Sequence, residues 1–265
     1  MSAREAPRKG EIKLMQSKSI FGPLTTAVVL LLLSGSLLAQ RVSFTQTVVA
    51  GVISPPASIT VGQNLRVVVS VGIQTTGSTT VTVTSSDASK ATVASTLAGA
   101  GSLSATFSSV SNGFTMYVDG VASSGTATLT ISATGFTSAT STVNLSPSGF
   151  AIMSVGMNGG SQGNPPGTAV DVIGNFADAT LTVCPVLLDS GLHFVSATYP
   201  TTISPGISTA SVTVSSSNTS VATVGGGSLS FAAGAYCLNT ATLHAVSAGS
   251  TTVSITTPAG WSTLN

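Results

Sequence analysis

The chain is 265 residues long, a length that suits one large domain or two ordinary ones with a buried core each. Aromatic residues make up 5 % and charged residues 6 % of it, while Ser and Thr together supply roughly a third, well above ordinary soluble composition. Five of the eight basic residues (Arg4, Arg8, Lys9, Lys13 and Lys18) stand at the start. Beyond position 40 only Arg41, Arg66 and Lys90 face Asp87, Asp119, Asp171, Asp178 and Asp189, with no Glu. That inventory excludes a basic patch for nucleic acid and an acidic tail.

The first predicted element is an export signal. Residues 20–39 carry no charge and include the run Ala27-Val-Val-Leu-Leu-Leu-Leu33. Basic residues precede it, and Leu37-Leu38-Ala39 closes it. A positive start, an apolar middle and a small residue at the end describe a secretory signal helix over 1–39, cut after Ala39. Met15 offers an alternative start, because Met15-Gln-Ser-Lys18 is a sufficient basic lead. An uncleaved membrane anchor is the competing reading, since the uncharged stretch reaches about 20 residues. No Cys follows the apolar run, so a lipoprotein anchor is not supported.

From Val52 onward the pattern is that of strands. Leu65–Ile73 reads as one strand, and Thr79-Thr-Val-Thr-Val-Thr84 alternates strictly between a Val face and a Thr face. Gly125–Ile131 does the same, and Ala139–Leu145 follows as a closing strand. Thr and Val favour such surfaces because their branched Cβ is stiff there, and 28 Gly and 11 Pro punctuate the turns. No stretch beyond the signal has helical period.

The pattern is also internally repeated. Val81-Thr-Val-Thr-Ser-Ser-Asp-Ala-Ser-Lys-Ala-Thr-Val93 matches Val212-Thr-Val-Ser-Ser-Ser-Asn-Thr-Ser-Val-Ala-Thr-Val224. Gly125-Thr-Ala-Thr-Leu-Thr-Ile131 matches Gly249-Ser-Thr-Thr-Val-Ser-Ile255, and each is followed by a glycine and an aromatic, Gly135-Phe136 and Gly260-Trp261. In both copies the Asx/Ser cluster bonds nearby backbone and makes the turn into the next strand. These matches place a linker at Ser146-Pro147-Ser148-Gly149 and divide the chain into halves at 50–147 and 148–265. A Gly/Asn/Pro-rich loop over 156–167 is expected to interrupt the second half.

At Ser215–Val224 and Ala245–Ile255 the sequence resembles the bacterial immunoglobulin-like domains of group 2, found in intimin- and invasin-type adhesins. Ser85–Val93 carries the likeness in the first half, more loosely. The resemblance implies an all-β fold of two tandem immunoglobulin-like Greek-key β-sandwich domains, about seven strands each. It implies spacer or stalk modules on surface or secreted proteins, and it brings no catalytic residues. The second half stops before a counterpart of Ala139–Leu145, so it is expected to lack its last strand within this chain. The explanations left open are a fragment of a longer protein, a strand supplied by another chain, and a shorter natural variant.

Few residues are candidates for chemistry. Cys184 and Cys237 are the only cysteines; in an exported protein an even count suggests a disulfide, with two buried thiols as the alternative. The stretch Asp189-Ser190-Gly191-Leu192-His193 contains the residue types of a triad, but neighbours in one loop do not supply the separately positioned groups and oxyanion hole that a triad needs. His244 falls in strand text with a solvated polar face. Asp171, Asp178 and Asp189 lack the spacing of a calcium loop and read as turn acids. Asn144-Leu-Ser146 and Asn218-Thr-Ser220 fit the glycosylation pattern and read as chance matches in a bacterial chain. The row Thr80, Thr82, Thr84 reads as a solvent face, with a flat surface for glycan or ice as the alternative.

These residues lead to one expectation: a non-catalytic exported module without metal or cofactor, acting as spacer or stalk of a bacterial secreted or surface protein. Its partners would be neighbouring immunoglobulin-like domains and an unidentified surface protein or glycan; the membrane is met only through an uncleaved N-terminal segment. The alternative is a carbohydrate-binding accessory module of a larger secreted enzyme. Such a module presents exposed aromatics, and Tyr117, Tyr199, Tyr236 and Trp261 are the candidates. Hydrolysis would need paired carboxylates or a triad, and neither pattern is present.

Overall fold

A computed structural model describes residues 51–157, 160–163, 178–196, 201–207 and 209–265. The signal segment, Tyr199 and Asp171 therefore lie outside the described residues. Every regular element among the described residues is a strand, and no helix there is long and apolar enough to cross a membrane.

The first half holds β1 (Val52–Ser54), β2 (Ser58–Gly62), β3 (Leu65–Gln74), β4 (Thr79–Ser85), β5 (Ala91–Ala94), β6 (Ser104–Val110), β7 (Gly113–Gly120), β8 (Thr126–Ala133) and β9 (Ala139–Ser146). They form two sheets, β1-β3-β7-β5 and β2-β9-β8-β4-β6. Pro55 and Pro56 separate β1 from β2. Proline cannot donate to a ladder, so the chain leaves the first sheet there and joins the edge of the second, parallel to β9. The alternation seen in the sequence sets which side chains go inward: Val81 and Val83 on β4 and Leu129 and Ile131 on β8 are wholly buried, while the Thr residues between them face out.

The second half holds β10 (Ser148–Met157), β11 (Gly160–Gly163), β12 (Ala179–Leu188), β13 (Phe194–Ser196), β14 (Thr202–Ile203), β15 (Thr209–Ser216), β16 (Ala222–Gly225), β17 (Ser228–Ala232), β18 (Leu238–Ala245) and β19 (Val253–Thr256). Its sheets run β11-β10-β12-β18-β16, with β13 beside β12, and β17-β15-β19. The loop expected over 156–167 is in part a hairpin, because β10 continues to Met157 and pairs antiparallel with β11. The ladder bonds come from the backbone, so glycine-rich sequence conceals them.

The repeat extends to strand register. Val83 stands opposite Ile131 and Ser85 opposite Leu129; in the second half Val214 stands opposite Ile255 and Ser216 opposite Val253. Ala91 pairs with Gly120 and Val93 with Val118, as Ala222 pairs with Ala245 and Val224 with Leu243. The two turns match atom for atom. The Asp87 and Asn218 carbonyls accept the Ala91 and Ala222 amides at 3.0 and 3.1 Å, and their side chains accept the Ser89 and Ser220 amides at 2.9 and 3.1 Å. Hydrogen bonds from Ser89, its hydroxyl first, hold the Asp87 carboxyl below the usual carboxylate range.

Both halves lie within one unit, Val48–Asn265, and share a continuous apolar core. β14 crosses from the second half to pair antiparallel with the start of β3, Ile203 opposite Leu65, both wholly buried. The Ser204 amide donates to the Asn64 carbonyl at 2.9 Å, and the Ser148 hydroxyl donates to the Gln63 carbonyl. One flaw stands inside the first half: the Ser141 hydroxyl is buried on the inner face of β9 with no partner among the described residues. A buried hydroxyl without a bond costs about 1–3 kcal/mol. Ser141→Ala is therefore expected to raise the urea midpoint, by an amount equivalent to about 1 kcal/mol; an unchanged or lower midpoint would show that the hydroxyl is satisfied.

Candidate functional site

Two of the charged residues of the first half, Arg66 and Asp119, meet in one buried place. Arg66 on β3 stands directly opposite Asp119 on β7. Its Nε donates to Asp119 Oδ1 at 2.7 Å and its Nη2 to Asp119 Oδ2 at 2.6 Å. Nη1 donates to the Thr96 and Leu97 carbonyls and Nη2 also to the Gly99 carbonyl. The Arg66 side chain is 0 % and the Asp119 side chain 3 % exposed, although both lie on the outward side of their sheet. The 95–103 connection between β5 and β6 folds over them and turns its carbonyls onto the guanidinium. Gly101 permits that approach, since a Cβ there would sit 2.3 Å from Asp119 Oδ2. Tyr117 lies along one side, its ring centroid 5.6 Å from Arg66 Cζ. A guanidinium has five N–H donors, and all five are committed here. Both oxygens of Asp119 are engaged as well, so the guanidinium has no donor left for a substrate and the carboxylate is held out of solvent.

The second half repeats this position with an Asp–His pair. His244 takes the place of Asp119, since Thr223 stands opposite it as Thr92 stands opposite Asp119. Asp178 precedes the Ala179–Leu243 pair as Arg66 precedes Val67–Val118, and its Oδ1 lies 2.7 Å from His244 Nδ1. This pair is open, with side chains 58 % (His244) and 49 % (Asp178) exposed. The cause is loop length: only Gly226 and Gly227 join β16 to β17, so nothing folds over the pair. The sequence reading of His244 as solvated agrees with its exposure; its partner, 66 residues away, carried no signal.

The triad-like stretch is a turn. Asp189 accepts the Gly191 and His193 amides at 2.8 and 2.9 Å, and its other oxygen lies 3.3 Å from His193 Nδ1. The His193 amide is the main cause that holds the Asp189 carboxyl below the usual carboxylate range. Asp178 and Asp189 are engaged in these separate contacts, and no group of three metal-ligating side chains occurs among the described residues. Cys184 on β12 and Cys237, just ahead of β18, form a disulfide. Val183 stands opposite Leu238, so the bridge joins neighbouring strands of one sheet rather than pinning two sheets together. A disulfide is at home in an oxidising compartment outside the cytoplasm.

Two surfaces remain. The aromatic candidates do not gather: Tyr117 lies against Arg66, and Trp261 packs on Phe150 at 4.6 Å between ring centroids. The outer face of β2-β9-β8-β4-β6, by contrast, is a field of hydroxyls. Thr130 stands between Thr84 and Thr140, Thr142 between Thr128 and Ser58, and Thr82 between Thr106 and Ser132. The row Thr80, Thr82, Thr84 is one column of it. Asn144 lies in the same field opposite Thr126 and Thr60, whereas Asn218 is spent on its own turn. No family model matches the chain, and no curated protein matches it.

Proposed function

We propose that the chain is a non-catalytic, exported structural module: two immunoglobulin-like Greek-key sandwiches serving as spacer or stalk of a secreted or cell-surface protein. The observation that carries this reading is the repetition of one strand plan, register by register, in two halves held together by backbone pairing between β14 and β3. Repetition with direct pairing between units produces stiff length, which is what a spacer contributes. The charged residues support it too, since Arg66 and Asp119 satisfy each other and Asp189 organises a turn. The disulfide fits export, with residues 1–39 as the signal and neighbouring immunoglobulin-like domains as partners.

The second reading, a carbohydrate-binding accessory module, is favoured by the hydroxyl field around Thr130 and Thr142. A glycan array separates the two. The spacer reading expects no glycan above background. Specific binding that is lost on Thr130→Lys and Thr142→Lys, with the fold retained by circular dichroism, would overturn it in favour of the second.

A further inference from the structure

β6 belongs to one sheet of the first half and β7 to the other. The passage between them is a corner of two residues, Ser111 and Asn112, both exposed, and Gly113 opens β7. Glycine stands there for a steric reason. Its φ is +155°, and a Cβ would sit 2.8 Å from the Val71 carbonyl oxygen. The ladder then fixes where its amide points. The Ile73 amide donates to the Asn112 carbonyl at 3.3 Å, so Gly72 and Gly113 form a pair that exchanges no bonds. In such a pair the N–H turns away from the partner strand. On the other side of β7 stands β5, whose pairing ends at Ala94 and Tyr117, short of Gly113. The Gly113 amide is therefore without a ladder partner, and the Asn112 side chain makes no hydrogen bond among the described residues.

A side-chain amide carbon is an electrophile, and the backbone nitrogen of the following residue is placed to close a ring on it. A side chain on that following residue shields the nitrogen; glycine has none. We propose that Asn112 is a self-modifying site, which the Gly113 nitrogen converts through a succinimide into aspartate and isoaspartate. The bond from Gly113 N to Asn112 Cγ forms, the Cγ–Nδ2 bond breaks, and ammonia leaves with the proton of the Gly113 N–H. Water then opens the ring at either carbonyl, and no oxidant or reductant enters. Opening at the α-carbonyl gives isoaspartate: the main chain gains one atom, and the carbonyl that received the Ile73 amide becomes a free carboxylate. Either product adds a negative charge at the corner. The other described asparagines lack this combination. Asn64, Asn144, Asn218 and Asn239 precede Leu65, Leu145, Thr219 and Thr240. Asn64 Nδ2 is also bonded to the Gly260 carbonyl, and Asn218 Oδ1 to the Ser220 amide. Asp119-Gly120 has the atoms for the same ring, but Arg66 holds both Asp119 oxygens in a buried pair.

The site is independent of the spacer and carbohydrate-binding readings, and both stand if it fails. The experiment ages the folded full chain at mildly alkaline pH and digests it with pepsin in acid, where ring closure stops. Mass spectrometry with chromatographic separation of aspartate from isoaspartate then maps each asparagine. Pepsin peptides separate Asn112 from Asn158-Gly159, which lies outside the described residues. Asn112 is expected to convert at least about tenfold faster than Asn64 and Asn218. In the aged protein the Ile73 amide should exchange with solvent faster than in fresh protein. The Asn112→Gln variant, whose longer side chain closes a larger ring far more slowly, should show no such change on ageing. An Asn112 that stays intact in the folded protein overturns the proposal, as does conversion no faster than at Asn64 and Asn218. Faster Ile73 exchange in the aged Asn112→Gln variant as well would overturn the consequence assigned to the ring opening.

Discussion

Asp119→Ala is expected to lower stability by about 3–5 kcal/mol, the usual cost of removing one partner of a buried ion pair. The cause is what remains: Arg66, 0 % exposed, keeps its charge and loses the acceptor of two of its five bonds. The loop carbonyls of Thr96, Leu97 and Gly99 cannot neutralise it. Urea unfolding followed by circular dichroism measures the loss. Adding Arg66→Met to give an uncharged pair should recover part of it, since an apolar replacement removes the buried charge. Recovery should be incomplete, because those three carbonyls then lose their donors. A loss under about 1 kcal/mol for Asp119→Ala would place the pair in solvent, where ion pairs contribute that little.

Removing the disulfide is expected to cost about 4 kcal/mol, the chain-entropy value for a loop of this length. The bridge closes a separation of 53 residues and ties β12 to the entry of β18. Cys184→Ala with Cys237→Ala should lower the thermal midpoint, and reductant should lower the midpoint of the unaltered protein but not that of the double variant. The same midpoint for the unaltered protein with and without reductant would contradict the contribution. The second half depends on this bond more than its length suggests, because among the described residues its β17-β15-β19 sheet has three strands against five in the corresponding sheet of the first half.

The strands of the first half were legible because their cores are built on a period of two. The sequence reading of Leu65–Ile73, Thr79–Thr84, Gly125–Ile131 and Ala139–Leu145 meets β3, β4, β8 and β9 within a few residues. The turns were legible because Asp87 and Asn218 make their bonds to residues two to four positions away. What escaped depends on contacts that no local pattern encodes. Arg66 sits on the outward side of β3, where alternation predicts solvent, and only the fold-over of 95–103 buries it. Its one sequence signal was scarcity, a single Arg and a single Asp in strands otherwise free of charge. The β10–β11 hairpin escaped because backbone pairing needs no particular side chains, and β14 because two residues carry no period.

Export in oxidised form is the premise beneath both the spacer reading and the disulfide, and intact mass of the protein recovered from an exporting bacterial cell tests it most directly. The protein should be alkylated without reductant before it is weighed. The account predicts a chain beginning at Gln40, with Cys184 and Cys237 unalkylated. A cytoplasmic chain beginning at Met1 or Met15, with both cysteines alkylated, would contradict it.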